Sequence, residues 1–398
     1  MGATPTPLAY LGTDPRRAPS SWAWRGRVVL VSAILGLSGF QLLREMYREG
    51  RGGGNPFRTS DWLINYSGGF VRRGLFGELV LSVTPHGSAA VWAIIGFQVA
   101  CYAIVVAYVV RFLQRSDFSW SSVALTCAPV GVAFAGWDLQ GGIRKEYVAY
   151  AAIALLGFAR DDALRHRRRV LVGASLALFT LGVFSWEATV VALPMMVYLL
   201  RGQDDDQPWQ MRGRAPFALV GIAAAGLISS SLNRGTPEQI AMICRRVVDH
   251  GLDPVLCTGA VTWLGWNLSD IWEQLAAFFP GYLWQVAFLP IGLLPILLSP
   301  WLRRNGWWFA LSAAAVLPLY VVGLDYGRWN SVLFMVVSLA IMAGQVDDVT
   351  SRVWAPVTTV LFVASWGLPH YGLIATTPLG LGFASAVIDL WGWVAGGF

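Results

Sequence analysis

The sequence predicts an all-α fold, a polytopic membrane bundle of about eleven or twelve transmembrane helices with a cytoplasmic N-terminus. Three observations predict it. The 398 residues are 56% hydrophobic and only 13% charged, with mean hydropathy +0.54, whereas a soluble domain carries about twice that charged share. The apolar runs are long and lack the period-2 alternation of an outer-membrane barrel. The 20 tryptophans suit the aromatic belts of membrane interfaces. The net charge of +6 is no nucleic-acid signal, because the basic residues stand in short clusters between spans. Nucleic acid is therefore excluded as a partner, and membrane lipid is expected.

Lys and Arg accumulate in cytoplasmic loops, and that rule orients each element in turn. Residues 1–27 are a polar, Pro-containing cytoplasmic tail with Arg16, Arg17, Arg25 and Arg27 ahead of the first span. Residues 28–398 form a single transmembrane domain. No small-residue cleavage site follows span one, at 28–43, so it reads as a retained signal anchor. It leads to an outer loop at 44–88. Span two (89–110) returns to Arg111 and Arg115. Span three (120–137) goes out to a loop at 138–146, and span four (147–159) lands on Arg160, Arg165, Arg167, Arg168 and Arg169, the most basic loop of all. Span five (170–186) goes out, and span six (188–200) returns to a mixed loop with Arg201, Asp204, Asp205, Asp206, Arg212 and Arg214. Span seven (215–232) reaches the outer loop at 233–277, and span eight (281–300) comes back to Arg303 and Arg304. Span nine (307–324) ends outside at Asp325, span ten (331–344) returns to Asp347, Asp348 and Arg352, and span eleven (353–369) ends at His370. The segment 381–398 is apolar but short and broken by Asp389, so it is either a twelfth span or an interfacial helix. Several spans fall short of the roughly 20 residues a bilayer needs. Such spans are tolerated where neighbours bury them or they line a cavity.

Cysteine usage agrees with this topology. Cys101 and Cys127 fall inside spans as small apolar residues. Cys244 and Cys257 share an outer loop, where the periplasm permits a disulfide.

One polar stretch stands out, Asp61 to Gly77, DWLINYSGGFVRRGLFG. A hairpin between two spans needs only a few turn residues. This one carries a carboxylate (Asp61), an amide (Asn65), a phenol (Tyr66), a Gly pair (Gly68, Gly69) and two adjacent arginines (Arg72, Arg73), with Glu78 just after. The glycines are expected to let the backbone approach a ligand. The arginines suit bidentate binding of phosphate or carboxylate.

Further compact clusters sit flush with the outer ends of other spans: Asp138 with Arg144, Lys145 and Glu146; Glu187 after Trp186; Asp325 with Arg328; and His370. Ionisable residues at membrane depth are costly and are either paired or functional. The structural alternative is that they pair with one another and hold the bundle together. Functionally, Arg72 with Arg73, and Arg144 with Lys145, suit a diphosphate, stabilising its developing charge. Asp61 or Asp138 suits the base that deprotonates an acceptor hydroxyl. Glu187 suits sugar hydroxyls or orients an arginine, and equally suits the first turn of a helix. Asp325 and Arg328, three apart, slightly favour simple pairing. In the long loop, Trp263, Trp266 and Trp272 stack on sugars or anchor an interfacial helix, and anchoring is preferred. His86, His166, His250 and His370 show no metal spacing, so no metal site is read.

With its outer first loop carrying Asp61, its Arg-bearing outer loops and the Asp-Tyr-Gly-Arg-Trp run at Asp325–Trp329, the chain resembles the GT-C class of membrane glycosyltransferases. It also resembles bacterial surface-polysaccharide polymerases of the EpsG or Wzy kind. The resemblance implies a bacterial inner-membrane enzyme taking sugar from a polyprenyl (di)phosphate donor at the periplasmic face. Its partners would be a glycan or lipid acceptor and polysaccharide-assembly proteins. Asp61 would serve as base or metal contact, which leaves a divalent metal as the only cofactor in view. Arg72, Arg73, Arg144 and Arg328 would handle the diphosphate. The rival class is a flippase or exporter of a lipid-linked glycan or other anionic lipid.

Overall fold

The structure, a computed structural model, describes residues 21–128, 130–201, 209–344, 355–357 and 359–360. Among these it is an all-α bundle without strands. His370 and the segment 381–398 lie outside the described residues. Five described helices are long and apolar enough to cross a membrane: Trp22–Arg51, Ala89–Arg115, Asp162–Ser185, Arg214–Leu232 and Pro300–Val322.

Helix α1 (Ser21–Arg51) runs well past the predicted end of span one. It stops where Gly52, Gly53 and Gly54 follow, with Gly53 and Gly54 at φ +81° and +109°. Left-handed glycine is the usual way to end a helix. The predicted outer loop then holds two short helices, α2 (Thr59–Trp62) and α3 (Leu75–Val83). Helix α4 (Ala89–Arg115) matches span two and extends it.

Span three is not one helix. It breaks into α5 (Trp120–Thr126), α6 (Phe134–Trp137) and α7 (Leu139–Gly142). Pro129 brings no N–H to an α-helical ladder, and the Gly131 N–H turns back onto the Ala128 carbonyl at 2.8 Å. Helix α8 (Glu146–Ala159) matches span four, and α9 (Arg168–Ser185) matches span five. Span six opens as a 3₁₀ turn, Glu187–Ala192, and becomes α10 (Leu193–Arg201) at Pro194, a residue that suits a helix start.

Helix α11 (Trp209–Leu232) is followed by α12 (Pro237–Asp249), whose start is a capping box of Thr236 and Gln239 with Pro237 at the first position. Helix α13 (Leu268–Leu297) begins well before predicted span eight. Its own capping box, Asn267 with Asp270, sets that start. Helices α14 (Pro300–Val322) and α15 (Tyr326–Ile341) complete the described bundle.

Helices α8 and α15 are apolar nearly all round, and nearly every residue of both is buried. A helix of that pattern belongs inside a bundle. They pack against each other, α8 also against α4 and α9, α15 also against α13 and α14. Helix α8 has only 14 residues, about 21 Å at 1.5 Å each, and its protein surroundings make that length workable.

The segment 233–267 folds as a small cap over one end. A second apolar cluster joins Ile64 and Val71 of the first loop to Ile243, Val261 and Leu264 of the cap. Cys244 of α12 is disulfide-bonded to Cys257, with Cα atoms 5.7 Å apart. Closing such a loop stabilises a fold by about 3 kcal/mol. Alkylation of unreduced protein is therefore expected to leave Cys244 and Cys257 unmodified, and a tryptic digest to yield the linked pair. Free thiols at both positions would show that the cap forms in a reducing compartment.

Candidate functional site

The first loop is organised from the inside. Trp62 is buried, its ring against Phe76 at 4.7 Å and Phe97 at 5.9 Å. Asn65, also buried, donates from Nδ2 to the Leu63 carbonyl (3.0 Å) and the Ile243 carbonyl (3.4 Å), and accepts the Ser67 N–H (3.0 Å). It is thus a staple between loop and cap. The Tyr66 N–H donates to Glu78 (3.0 Å), whose carboxylate also receives Arg246 at 2.6 Å. The Tyr66 ring stacks on Phe70 at 5.0 Å. Burial, with Glu78 nearby, pushes its hydroxyl up to about 12, so it stays protonated.

Of the expected glycine pair, Gly69 at φ +95° is open, with only the Gln239 Nε2 at 3.8 Å, whereas Gly68 is closed by the chain, as are Gly74 and Gly77. A Cβ at Gly68 would stand 2.7 Å from the Gln239 Cα, one at Gly74 2.2 Å from the Tyr66 ring, and one at Gly77 2.1 Å from the Ile64 carbonyl. These positions are closed by the protein's own chain, and no room for a ligand arises from them.

Beneath this frame the charged groups gather. Arg73 sits at φ +68°, a left-handed conformation that costs a side-chain-bearing residue about 1 kcal/mol or more. That backbone turn accompanies a two-bond fork on Glu187, Nε to Oε2 at 2.8 Å and Nη2 to Oε1 at 2.7 Å. Asp61 lies 3.9 Å from Arg73 and 3.4 Å from the Lys145 ammonium. Lys145 is buried and donates to the Asp61 carbonyl (2.6 Å) and the Ser185 carbonyl (2.7 Å), with its charge 5.6 Å over the Trp62 ring. Burial depresses the Lys145 pKa to about 8, against the pull of Asp61. Burial alone would raise the Glu187 pKa, yet Arg73 and then Arg72 hold it at about 2. For Arg73 the same burial is outweighed by Glu187, which holds the guanidinium above its ordinary range.

Arg72 is bound less completely. Its Nη2 donates to the carbonyls of Trp263 (3.2 Å) and Leu264 (3.4 Å), and Nη1 stands 3.7 Å from Glu187. Its buried Nε has no hydrogen-bond partner. Burial and then the adjacent Arg73 lower its pKa.

A second group adjoins the first. Arg328 bonds both Glu146 and Asp325, so the expected Asp325–Arg328 pair forms but is shared with a third residue. Arg144 donates to the Phe57 carbonyl (2.5 Å) and the Gln140 carbonyl (3.1 Å). Lys145, with its donors spent on the protein, is a brace; the pairing of Arg144 with Lys145 as a phosphate clamp is not what the geometry provides. Asp138, the alternative to Asp61 as base, caps α7 by accepting the Gly141 N–H at 2.8 Å.

Sequence reading missed Arg58, Glu45 and Glu49. Buried Arg58 lies 2.9 Å from each carboxylate and donates to the Leu139 carbonyl at 3.2 Å, tying α1 to the break before α7. The signal was available: Glu45 and Glu49 are one helical turn apart, close to an arginine nine residues beyond Glu49 in the same loop. Ser185 also escaped notice, because it acts through its carbonyl.

An apolar cavity of about 210 Å³ lies between α1, α4 and the chain around α6. Leu42, Met46, Val99, Val106 and Ala135 line it, with Tyr102 as one wall. The Tyr102 hydroxyl bonds the Gly142 carbonyl, three residues before Lys145, so wall and charged layer are joined.

A divalent ion does not fit at Asp61. The carboxylate faces two cations, and no group of three or more His, Cys, Asp or Glu stands together among the described residues.

The fork between Arg73 and Glu187 should dominate local stability. Glu187→Gln is expected to cost about 1.5–3 kcal/mol, read as a lower thermal midpoint in detergent. The double variant with Arg73→Gln should fall by less than the sum of the singles; strict additivity would mean the two side chains act independently. No known protein family, characterised protein or solved structure matches the chain.

Proposed function

We propose that the chain is a membrane glycosyltransferase or polysaccharide polymerase that takes sugar from a polyprenyl (di)phosphate donor at the outer face of a bacterial inner membrane. The observation that carries this reading is a cationic cluster joined to an apolar cavity, whose wall residue Tyr102 bonds the Gly142 carbonyl three residues before Lys145. Arg72, Arg73, Arg144, Lys145 and Arg328 bring five positive charges against the four carboxylates of Asp61, Glu146, Glu187 and Asp325. With Arg58, Glu45 and Glu49 the group balances at six charges of each sign, so the local feature that suits an anionic headgroup is the unpartnered Nε–H of Arg72. The cavity, walled by two membrane-length helices, suits the start of its hydrocarbon tail.

In this reading Arg72 grips the phosphate and withdraws charge from the leaving group. Arg73 is held by Glu187 and presents its field without moving. Asp61, between Arg73 and Lys145, accepts the proton of the acceptor hydroxyl, which must approach from the open side of the loop. The charge gathers at one end of the bundle, which favours chemistry there over passage through the membrane.

The test is an in vitro assay with a synthetic polyprenyl-diphosphate sugar and the purified protein. Transfer is expected, and Arg72→Lys is expected to lower it tenfold or more, because a point charge cannot make a two-bond contact. Movement of the intact lipid across vesicles without transfer would replace the enzyme by a flippase.

Binding should also depend on pH through Lys145. Its folded pKa, about 8, lies below the ordinary value near 10.4. Folded protein therefore loses this proton as pH rises through about 8, while the unfolded chain keeps it until about 10.4. Two consequences have opposite signs. The stability contributed by this group grows as pH rises through that window, whereas affinity for an anionic headgroup falls. Titrating pyrophosphate binding between pH 7 and 10 should show the fall, and Lys145→Met should abolish that edge.

A further inference from the structure

An aromatic strip on the rim of the site has no role in the reaction as described. Phe57 and Trp263, 40% and 36% exposed, have ring centroids 5.5 Å apart, and Trp263 lies 5.3 Å from Trp266. The strip is built on a rigid base. Val261 and Leu264 turn inward into the second apolar cluster, and the disulfide ties the preceding segment to α12. The Ala260 N–H bonds the Pro56 carbonyl at 2.9 Å, and a Cβ at Gly259 would lie 1.8 Å from that oxygen. The two segments that carry Phe57 and Trp263 are therefore locked together.

The strip is also fastened to the arginines of the site. Arg144 donates to the carbonyl of Phe57 itself, and Arg72 to the carbonyl of Trp263 itself. Exposed rings fixed at tilts of 50° and 36° to one another, with guanidinium groups bonded to the backbone behind two of them, suit one ligand chemistry. A pyranose offers an apolar C–H face for the rings and hydroxyls for the rim. A membrane anchor has a different setting in this fold. Trp272 provides it, 53% exposed in the first turn of α13, with its indole N–H on the Val321 carbonyl of a neighbouring membrane-length helix. The residues around Trp263 include exposed polar ones, Thr258, Thr262 and Asn267, beside the exposed Val255 and Leu268.

We infer that Phe57, Trp263 and Trp266 form a binding shelf for a pyranose unit of the acceptor glycan, placed so that the glycan's reactive end reaches the Arg72–Arg73–Asp61 site. The inference rests on the transferase reading for the identity of the glycan as acceptor. The shelf explains why Arg72 is bonded to two cap carbonyls: it couples the phosphate grip to the position of the acceptor. A chain bound by internal sugars can be extended without being released, so the shelf favours repeated addition.

The test uses full-length protein carrying 5-fluorotryptophan in lipid nanodiscs, with Trp263→Phe identifying the Trp263 fluorine signal. The probes are oligosaccharides cut by mild acid from the source cell's own surface polysaccharide, and, separately, nanodiscs whose lipids carry a headgroup nitroxide. A saturable shift of the Trp263 signal by the oligosaccharides, weakened about fivefold to tenfold in Phe57→Ala, is expected, with little broadening by the nitroxide. Broadening by the nitroxide without response to the glycan would make the strip a membrane anchor and overturn the proposal. Silence to both would make it packing only, and would overturn it equally. The transfer assay separates the two readings. Glycan binding at Trp263 in a protein that transfers no sugar removes the enzyme and keeps the shelf. Transfer that is equal in wild type and Trp263→Ala, with no glycan response, removes the shelf and keeps the enzyme.

Discussion

The fork of Arg73 on Glu187 is the contact on which this end of the bundle depends. It joins the first loop to the turn between α9 and α10, a junction that Arg72 and the Phe76 N–H on Ser185 share. Lys145 makes the same junction one layer lower, reaching Asp61 and Ser185 on either side. Buried charges of this kind are poor sources of net stability, since their desolvation offsets most of the attraction. Their effect is to penalise every arrangement in which one partner is missing. The cluster thus selects one packing of loop, α8 and α9 among many that the apolar faces alone would accept.

Broken helices make this cluster tolerable. The interruptions between α5 and α8, and the 3₁₀ turn at Glu187, release carbonyl groups from helical ladders at the depth where the cations lie. Arg58 takes the Leu139 carbonyl, Arg144 the Gln140 carbonyl, and Lys145 the Ser185 carbonyl. Irregular backbone within a membrane domain is accepted where it is enclosed by protein. Here it also supplies acceptors that no carboxylate has to provide.

The fold class was legible from composition and from apolar run length, and so were the positions of the five described membrane-length helices. Helix ends were read less well, because they are set by local devices: the glycines after Arg51, and the capping boxes at Thr236 and Asn267. Asp61, Arg73, Lys145 and Glu187 were legible as candidates because charge is conspicuous in an apolar chain. Their partners were not, since Arg73 and Glu187 are 114 residues apart. Half of the hydrogen-bonding story is carried by carbonyls, which every residue has and no side-chain pattern reveals. The glycines of the first loop misled for the same reason. Their need for space became visible only once Gln239 and Ile64 were placed against them.

The staple between Asn65 and the Ile243 carbonyl has a consequence for biosynthesis. The two residues are 178 positions apart in the chain, and ribosomes add about 5–20 residues per second. The early loop, with its paired arginines, therefore waits roughly ten to forty seconds for the segment that will cover it. During that interval the Arg72 guanidinium lacks the Trp263 and Leu264 carbonyls that later bind it. A helper that shields basic loops as they emerge, or the speed of translation between the two segments, would act on this delay.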